Sequence, residues 1–497
     1  MEKAIFAFAA VPSISAIFLP FAAKLRNRLA ETVAIFTLLA GLINLAVPMF
    51  SFYGAEISSL PSDCLFLFIT AIVYVLALCT ALYSSAEIPA DKPGRPYFFS
   101  LLLISVSLIC ATVFSDNLFS LFLCLEALGL SAAGMISISR KDAAGAAAAS
   151  DWLFLYYMPS VFCVAGLSVL FMTLGNLSYE SLRQVALGGD PFGPVLFGIA
   201  LFLTGIAFKT TMFLMPQERS KDFRNDMSVS SHIAICIARF GVMYALFRVA
   251  LLLRFSYGNA NGISNAFLVL GAVIALSGAI SACQVRDLKK LACFSDFSNG
   301  GLLLMAIGIS TPLAVLAAML LMLGNACGTN LLLICGGISE RKKTRLMTLF
   351  RSQGSILTLV GGASQSGLPL FAGFWSRMLI AMALYDAEHH VFAFIALISG
   401  FFLLVSTLTQ RRKTFSFQND EMVKAEDKIP APDVPDNDVS PLPDRKKEFL
   451  LDPFCGNGEK WLKLLPAWIN AIILVLIGLL FPFVYMYLNV TVGSLFL

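Results

Sequence analysis

Four ionisable residues sit where ionisable residues are expensive: Glu126 in "LFLCLEALGL", Lys209 in "GIAFKTTMFLMP", Arg239 in "ICIARFGVMY" and Arg377 in "LFAGFWSRML". A charge at the middle of a bilayer costs about 2.5–3.5 kcal/mol on insertion scales, and such groups usually face a bundle interior and pair with one another. A lysine can give up its proton inside a protein, whereas an arginine does not. A carboxylate beside it stabilises the protonated form. A Glu126–Lys209 pair that closes and opens can therefore hold a proton and hand it on. Arg239 and Arg377 would be fixed charges of the same relay, with Arg239 holding Glu126 or nearby water. The competing reading is structural, with ion pairs that lock helices together. The hydroxyls of Thr204, Thr210 and Thr211 suit a water chain, or simply a bond to their own helix backbone. His232, directly after "VSS", suits a proton carrier on a cytoplasmic access path as well as it suits an ordinary helix end. His389 and His390 read as solvated loop residues.

The elements that must position these residues are long apolar runs. The chain has 497 residues, 58% hydrophobic and 13% charged, where a soluble protein carries about a quarter charged residues. Runs of about 20 apolar residues suffice to cross a bilayer as helices. Fourteen are expected, near 4–22, 31–52, 64–86, 97–114, 117–138, 152–174, 193–215, 229–253, 264–283, 291–309, 312–337, 355–385, 391–409 and 464–488. In the first, the strongest positive cluster (Lys24, Arg26, Arg28) follows the apolar run, which predicts an uncleaved helix with its N-terminus outside. The eleven cysteines contain no C-x-x-C pair, so buried thiols are expected, with no metal site and no cofactor.

Loop charges test the count. Most of the 35 Lys and Arg residues fall after odd-numbered spans, in "KLRNR", "DKPGR", "SRKD", "QERSKDFR", "QVRDLKK", "SERKKTR" and "QRRK". After even-numbered spans only Arg183 and Arg254 stand out. The positive-inside rule then predicts both termini on the outer side of a cell inner membrane. Residues 410–463, with "KIPAPDVPDNDVSPLPDRKK", read as a polar cytoplasmic linker with little packed structure. Residues 1–90 hold the first three helices and 464–497 the last.

Between these ends lie two five-span blocks, 97–254 and 264–409. Pro216 follows Lys209, and "SGLP" precedes Arg377, so helices seven and twelve are expected to be broken. Paired interruptions in corresponding places point to an inverted repeat with an ion path at the midplane. The fold class is an all-α polytopic membrane protein.

These stretches resemble the antiporter-like membrane subunits of respiratory complex I, multisubunit cation/proton antiporters and membrane-bound hydrogenases. "SDNLFSLFLCLEALGLSAAGMI" resembles that family's fifth helix, with Glu126 at its acidic position. "GIAFKTTMFLMP" is similar to the broken seventh helix, with Lys209 as its lysine. "SVSSHIAICIARFGVMYALFR" resembles the eighth, with Arg239 in place of a lysine. "RDLKKLACFSDFSNGG" and "SGLPLFAGFWSR" resemble two later segments, the second with Arg377 at its charged position. Departures stand beside these matches. After Lys209 only Pro216 of the usual segment is kept, and the eleventh span reads "NACGTN", with Asn325 and Thr329 where many members have His and Lys.

The resemblance implies fourteen helices with two inverted five-helix repeats, and proton conduction along a hydrated axis driven by electron transfer elsewhere in a larger complex. The expected function is a proton-translocating subunit of a redox-driven assembly, NADH:quinone oxidoreductase-like or hydrogenase-like. A sodium/proton antiporter subunit and a structural subunit without a complete path are the alternatives, and the symmetry alone also allows a solute transporter. Other membrane subunits, peripheral electron-transfer subunits and the lipid bilayer are the expected partners, not nucleic acid. No nucleotide fingerprint, metal-ligand cluster or nucleophile triad suggests a stand-alone enzyme.

Overall fold

The computed structural model describes residues 2–25, 29–51, 61–89, 92–139, 143–187, 193–211, 228–253, 261–285, 287–339, 347–426 and 457–496. Helices dominate them: α1 (Glu2–Leu25), α2 (Leu29–Ser51), α3 (Pro61–Glu87), α4 (Arg95–Phe114), α5 (Leu118–Ser139), α6 (Ala143–Tyr157), α7 (Ser160–Leu174), α8 (Tyr179–Leu187) and α9 (Gly193–Thr211). After them come α10 (Val229–Leu253), α11 (Asn261–Gln284), α12 (Leu288–Ile309), α13 (Pro312–Ser339), α14 (Met347–Ser366), α15 (Ala372–Asp386), α16 (His390–Glu426), α17 (Asn457–Leu479) and α18 (Phe481–Phe496).

Ten helices among the described residues are long and apolar enough to cross a membrane, or eleven if α17 and α18, bent by 77°, form one span. Shorter apolar stretches lie at Ala9–Phe21 and Leu29–Leu45. The polytopic character expected from composition is therefore present. Burial sorts the helices by position. In the apolar windows of α10 and α13, 94% of residues are buried, and in α12 89%. The corresponding shares are 33% for the joined α6–α7 and 39% for α16, which display Phe162, Phe171, Met172, Phe394 and Phe401 outward. Helices α10, α12 and α13 form the centre, and α6–α7 and α16 the greasy exterior.

Close approach of backbones packs neighbouring helices together, as expected where lipid provides little hydrophobic drive between them. At Gly166 of α7 an added Cβ would lie 2.6 Å from the Gly198 carbonyl of α9. At Gly301 of α12 it would lie 2.4 Å from the Ala275 nitrogen of α11. Polar contacts fix the ends. The Glu87 carboxylate accepts from the backbone N–H of Val229 at 3.2 Å and of Ser230 at 2.7 Å, so the end of α3 caps the exposed donors at the start of α10. Farther along α10, the Arg248 guanidinium donates to the carbonyls of Thr112 and Val113 and lies between the Phe66 and Tyr179 rings. Arg248 thereby pins α10 to the end of α4.

One expected break is present, and one expectation about a helix end changes. The run 355–385 is two helices, separated at residues 367–371. Gly367 has φ +81° and Leu370 φ +79° there, a backbone sign that glycine adopts easily and leucine seldom. The polar segment from 410 begins as helix, since α16 continues to Glu426. No proline or glycine interrupts "RRKTFSFQNDEMVKAE", so nothing local stops the helix there. Residues 427–456 of the expected linker lie outside the described residues, as does Pro216.

Candidate proton-relay axis

Glu126 and Lys209 meet. Lys209 lies in the last turn of α9 and is fully buried, and its Nζ donates to Glu126 Oε1 at 2.6 Å. The carboxylate is held on its other side by Ser160, the first residue of α7, whose hydroxyl donates to Oε1 and Oε2 at 3.0 and 3.1 Å. A helix N-terminus favours a negative charge, and it is the start of α7 that meets the Glu126 carboxylate.

The end of α6 supplies an aromatic wall. Lys209 Nζ sits 4.0 Å from the centroid of the Tyr156 ring and 5.8 Å from that of Tyr157, where ring quadrupoles attract a cation. Both phenols are tied back to α5: Tyr156 donates to the Leu125 carbonyl at 2.6 Å, and Tyr157 to the Glu126 carbonyl at 3.0 Å. Trp152 stacks on Tyr156 with ring centroids 5.0 Å apart. Gly129 makes room for this platform, since a Cβ there would meet Tyr156 Cε1 at 2.3 Å.

The axis continues one residue further along α9. Arg239 Nε donates to the Thr210 carbonyl at 3.1 Å, and its Nη1 pairs with Asp296 Oδ2. Asp296 Oδ1 in turn accepts from the Asn325 amide. Asn299 Nδ2 donates to Asn325 Oδ1 at 3.1 Å and also to Gln365 Oε1. Gln365 Nε2 donates to the Asn325 carbonyl and the Thr329 hydroxyl, both at 2.9 Å. Arg377 closes the series, donating to Asn299 Oδ1 at 2.8 Å, the Gln365 carbonyl at 3.1 Å, Ser399 Oγ at 2.6 Å and the Ala396 carbonyl at 2.8 Å. Among the described residues every partner of Arg377 is neutral. The Gln365 carbonyl belongs to the last turn of α14, the negative end of that helix.

All four predicted charges thus lie on one buried polar axis, with one change of partner. Arg239 was expected to hold Glu126 or nearby water, and its carboxylate is Asp296. The helix crossing decides this, because Lys209 already occupies Glu126. Asn325 and Thr329 both join the axis. The hydroxyls of Thr204 and Thr210 bond their own backbone, to the carbonyls of Ala200 at 2.6 Å and Ile206 at 2.9 Å. The Thr211 side chain lies outside the described residues. His232 Nδ1 lies 3.1 Å from the Ser228 carbonyl at the start of α10, a helix-end position away from both ion pairs. His389 and His390 sit in the α15–α16 turn, against the rings of Phe392 and Tyr385.

Asp296, Asn299, Gln365, Ser160, Tyr156 and Tyr157 were not predicted. Asp296 is a single acid within an expected span, but the Ser, Asn and Gly beside it make that stretch look generally polar. The others are neutral and leave no comparable mark in the sequence.

The family model for NADH:quinone oxidoreductase/Mrp antiporter transmembrane proteins matches residues 115–403. The chain belongs to that family. The match contains every residue of the axis. Among relatives, subunit L of the NADH-quinone oxidoreductase of Campylobacter jejuni is 24% identical over 71% of this chain, but the match spans only 59% of that protein. Subunit N from Nitrosomonas europaea is 24% identical over 71% of this chain and 75% of its own. The fold recurs in the Mrp complex of a Dietzia species, with TM-score 0.78, 17% identity, and 99% and 97% of the two chains covered. An archaeal membrane-bound sulfane sulfur reductase gives TM-score 0.75 at 17% identity, covering 99% and 97%. Complex I of Thermus thermophilus gives 0.72 at 17%, covering 99% and 98%.

Proposed function

We propose that this chain is a proton-translocating membrane subunit of a redox-driven multisubunit complex, itself without a catalytic centre. The observation that carries the reading is the hydrogen-bonded pair of buried Lys209 and half-buried Glu126 at the end of α9. A group that can release a proton and a carboxylate that can hold it there are in contact, inside a membrane fold whose family includes NADH:quinone oxidoreductase subunits. When the pair is closed Lys209 keeps its proton. When Glu126 turns to Ser160 alone, Lys209 can pass the proton to water.

The wider architecture belongs to the same proposal: fourteen spans, two inverted five-helix repeats, helices seven and twelve broken, both termini on the outer side of a cell inner membrane. Two observations favour paired breaks. The Thr210 carbonyl in the last turn of α9 accepts from Arg239, and the Gln365 carbonyl in the last turn of α14 accepts from Arg377. Each helix end points its negative dipole at a buried arginine. Partners would be the other membrane subunits of the complex and its peripheral electron-transfer subunits.

The test is proton uptake into vesicles holding the complex, with electron transfer measured in parallel. Glu126→Gln and Lys209→Met should assemble and lose pumping per turnover. Normal pumping by both would reduce the pair to a structural role. A second reading, a sodium/proton antiporter subunit, is favoured by the likeness to the Mrp complex over nearly the whole chain. Sodium-dependent proton movement without electron transfer would select it.

A further inference from the structure

We propose that Asp296 is a second proton carrier on this axis and that Arg239 is its permanently charged partner. The roles at Glu126 and Lys209 are thereby reversed. The inference rests on the proton-translocating reading and adds a residue to it.

Asp296 is 5% exposed, in the middle of α12, and both its oxygens are engaged, Oδ2 with Arg239 and Oδ1 with Asn325. In the first pair the lysine is the partner that can give up a proton. In this second pair the cation is an arginine, which keeps its proton in proteins. Any proton stored here must therefore go onto the carboxylate. Beyond it the polar chain runs through Asn325, Asn299 and Gln365, amides that donate and accept hydrogen bonds but hold no extra proton. The series ends at Arg377 and its neutral partners. Asp296 is the last group in the hydrogen-bonded chain able to take up a proton before that fixed charge.

The geometry also prepares the protonated state. Arg239 has a second anchor in the Thr210 carbonyl at 3.1 Å, so it keeps a partner when Asp296 becomes neutral. Asn325 offers both an N–H and a carbonyl oxygen, so turning its amide would give the new acid O–H an acceptor. In the step itself one N–H bond breaks at Lys209, leaving a neutral amine. One O–H bond forms at Asp296, and water carries the proton between them. Among the described residues, the buried charges on helices packed against α12 are Lys209 on α9, Arg239 and Arg248 on α10 and Arg377 on α15. The side chains that α13, α14 and α16 contribute to the axis are the neutral Asn325, Thr329, Gln365 and Ser399.

The experiment uses the whole complex, purified through this chain and placed in vesicles. Asp296→Asn keeps the shape and an acceptor for Arg239, and should lower proton uptake per electron by about tenfold or more. Asp296→Glu should restore part of it. Infrared difference spectra of the parent should show a carboxylic-acid band on turnover that moves when aspartate is isotopically labelled and is missing in Asp296→Asn. If Lys209→Met stops pumping while Asp296→Asn pumps normally, Asp296 is no carrier and the general reading stands. If Lys209→Met and Glu126→Gln both pump normally, the general reading itself fails. Should Asp296→Asn fail to assemble, the parent spectrum decides, and absence of an aspartate band overturns the proposal.

Discussion

Arg239 donates through Nε to the carbonyl of Thr210, the residue that follows Lys209. The two buried ion pairs therefore share the last turn of α9: Lys209 sends its side chain to Glu126, and Thr210 sends its carbonyl to the arginine that holds Asp296. Displacing Lys209 moves the peptide that anchors the second pair. The pairs are mechanically adjacent without being in direct contact.

Removing one member of the first pair leaves the other, buried Lys209 or half-buried Glu126, without its charged partner. Loss of one partner of a buried pair typically costs about 3–5 kcal/mol, whereas loss of both can be nearly neutral. Lys209→Met should destabilise strongly, because Glu126 then keeps only Ser160 and the start of α7. Glu126→Gln should be milder, since Lys209 retains the Tyr156 face and an amide oxygen. The double variant should be more stable than the sum of the single effects predicts. Thermal unfolding in detergent checks the ranking, and strict additivity would refute the coupling.

The aromatic wall gives an independent handle. In Gly129→Ala the new methyl must displace the Tyr156 ring, which it would otherwise meet at 2.3 Å. Pumping should fall although no charged group is altered. Tyr156→Phe keeps the ring under Lys209 and loses the bond to the Leu125 carbonyl, at a cost of about 1 kcal/mol. Tyr156→Leu loses the ring face as well and should reduce pumping more. Equal pumping by Tyr156→Phe and Tyr156→Leu would show that the ring face does not matter.

Charges buried in apolar runs could be found from sequence because the bilayer makes them conspicuous. Glu126, Lys209, Arg239 and Arg377 were visible in that way, and the break before Arg377 followed from its Gly and Pro. Partner choice was not visible. Whether Arg239 meets Glu126 or Asp296 depends on how α10 crosses α12, which no local pattern encodes. Asp296 itself is masked by its neighbours, because in "CFSDFSNGG" it sits among Ser, Asn and Gly that make the stretch look generally polar. Asn299 and Gln365 bear no charge, so their burial carries no penalty large enough to signal a role. The extension of α16 to Glu426 was missed because charged composition suggested a linker, although the segment lacks any helix breaker.

Topology offers a test that does not depend on the site. Reporter fusions or cysteine labelling should place residues 140–142, 219–225 and 427–456 on the cytoplasmic side, and 53–60 and 256–260 outside. Finding 427–456 outside would overturn the proposed orientation of both termini.

The last prediction exploits the two arginines. Each is buried, but their surroundings differ: Arg239 faces a carboxylate, whereas Arg377 has only neutral partners among the described residues. A lysine at either position is charged at low pH and loses its charge as pH rises, while an arginine stays charged throughout. The carboxylate of Asp296 favours the charged form of a lysine at 239. Among the described residues no such partner stands at 377, so a lysine there should lose its charge first. Proton uptake against pH should therefore stay nearly flat on the alkaline side for the parent. It should fall at high pH for Arg239→Lys, and at a lower pH for Arg377→Lys. The order is the informative part, because it reports whether Asp296 acts on the charge at 239 in the working protein. An Arg239→Lys profile that superimposes on the parent would mean that a fixed charge at 239 is not required. An Arg377→Lys profile that does so would remove the α14–α15 end of the axis from the proton path.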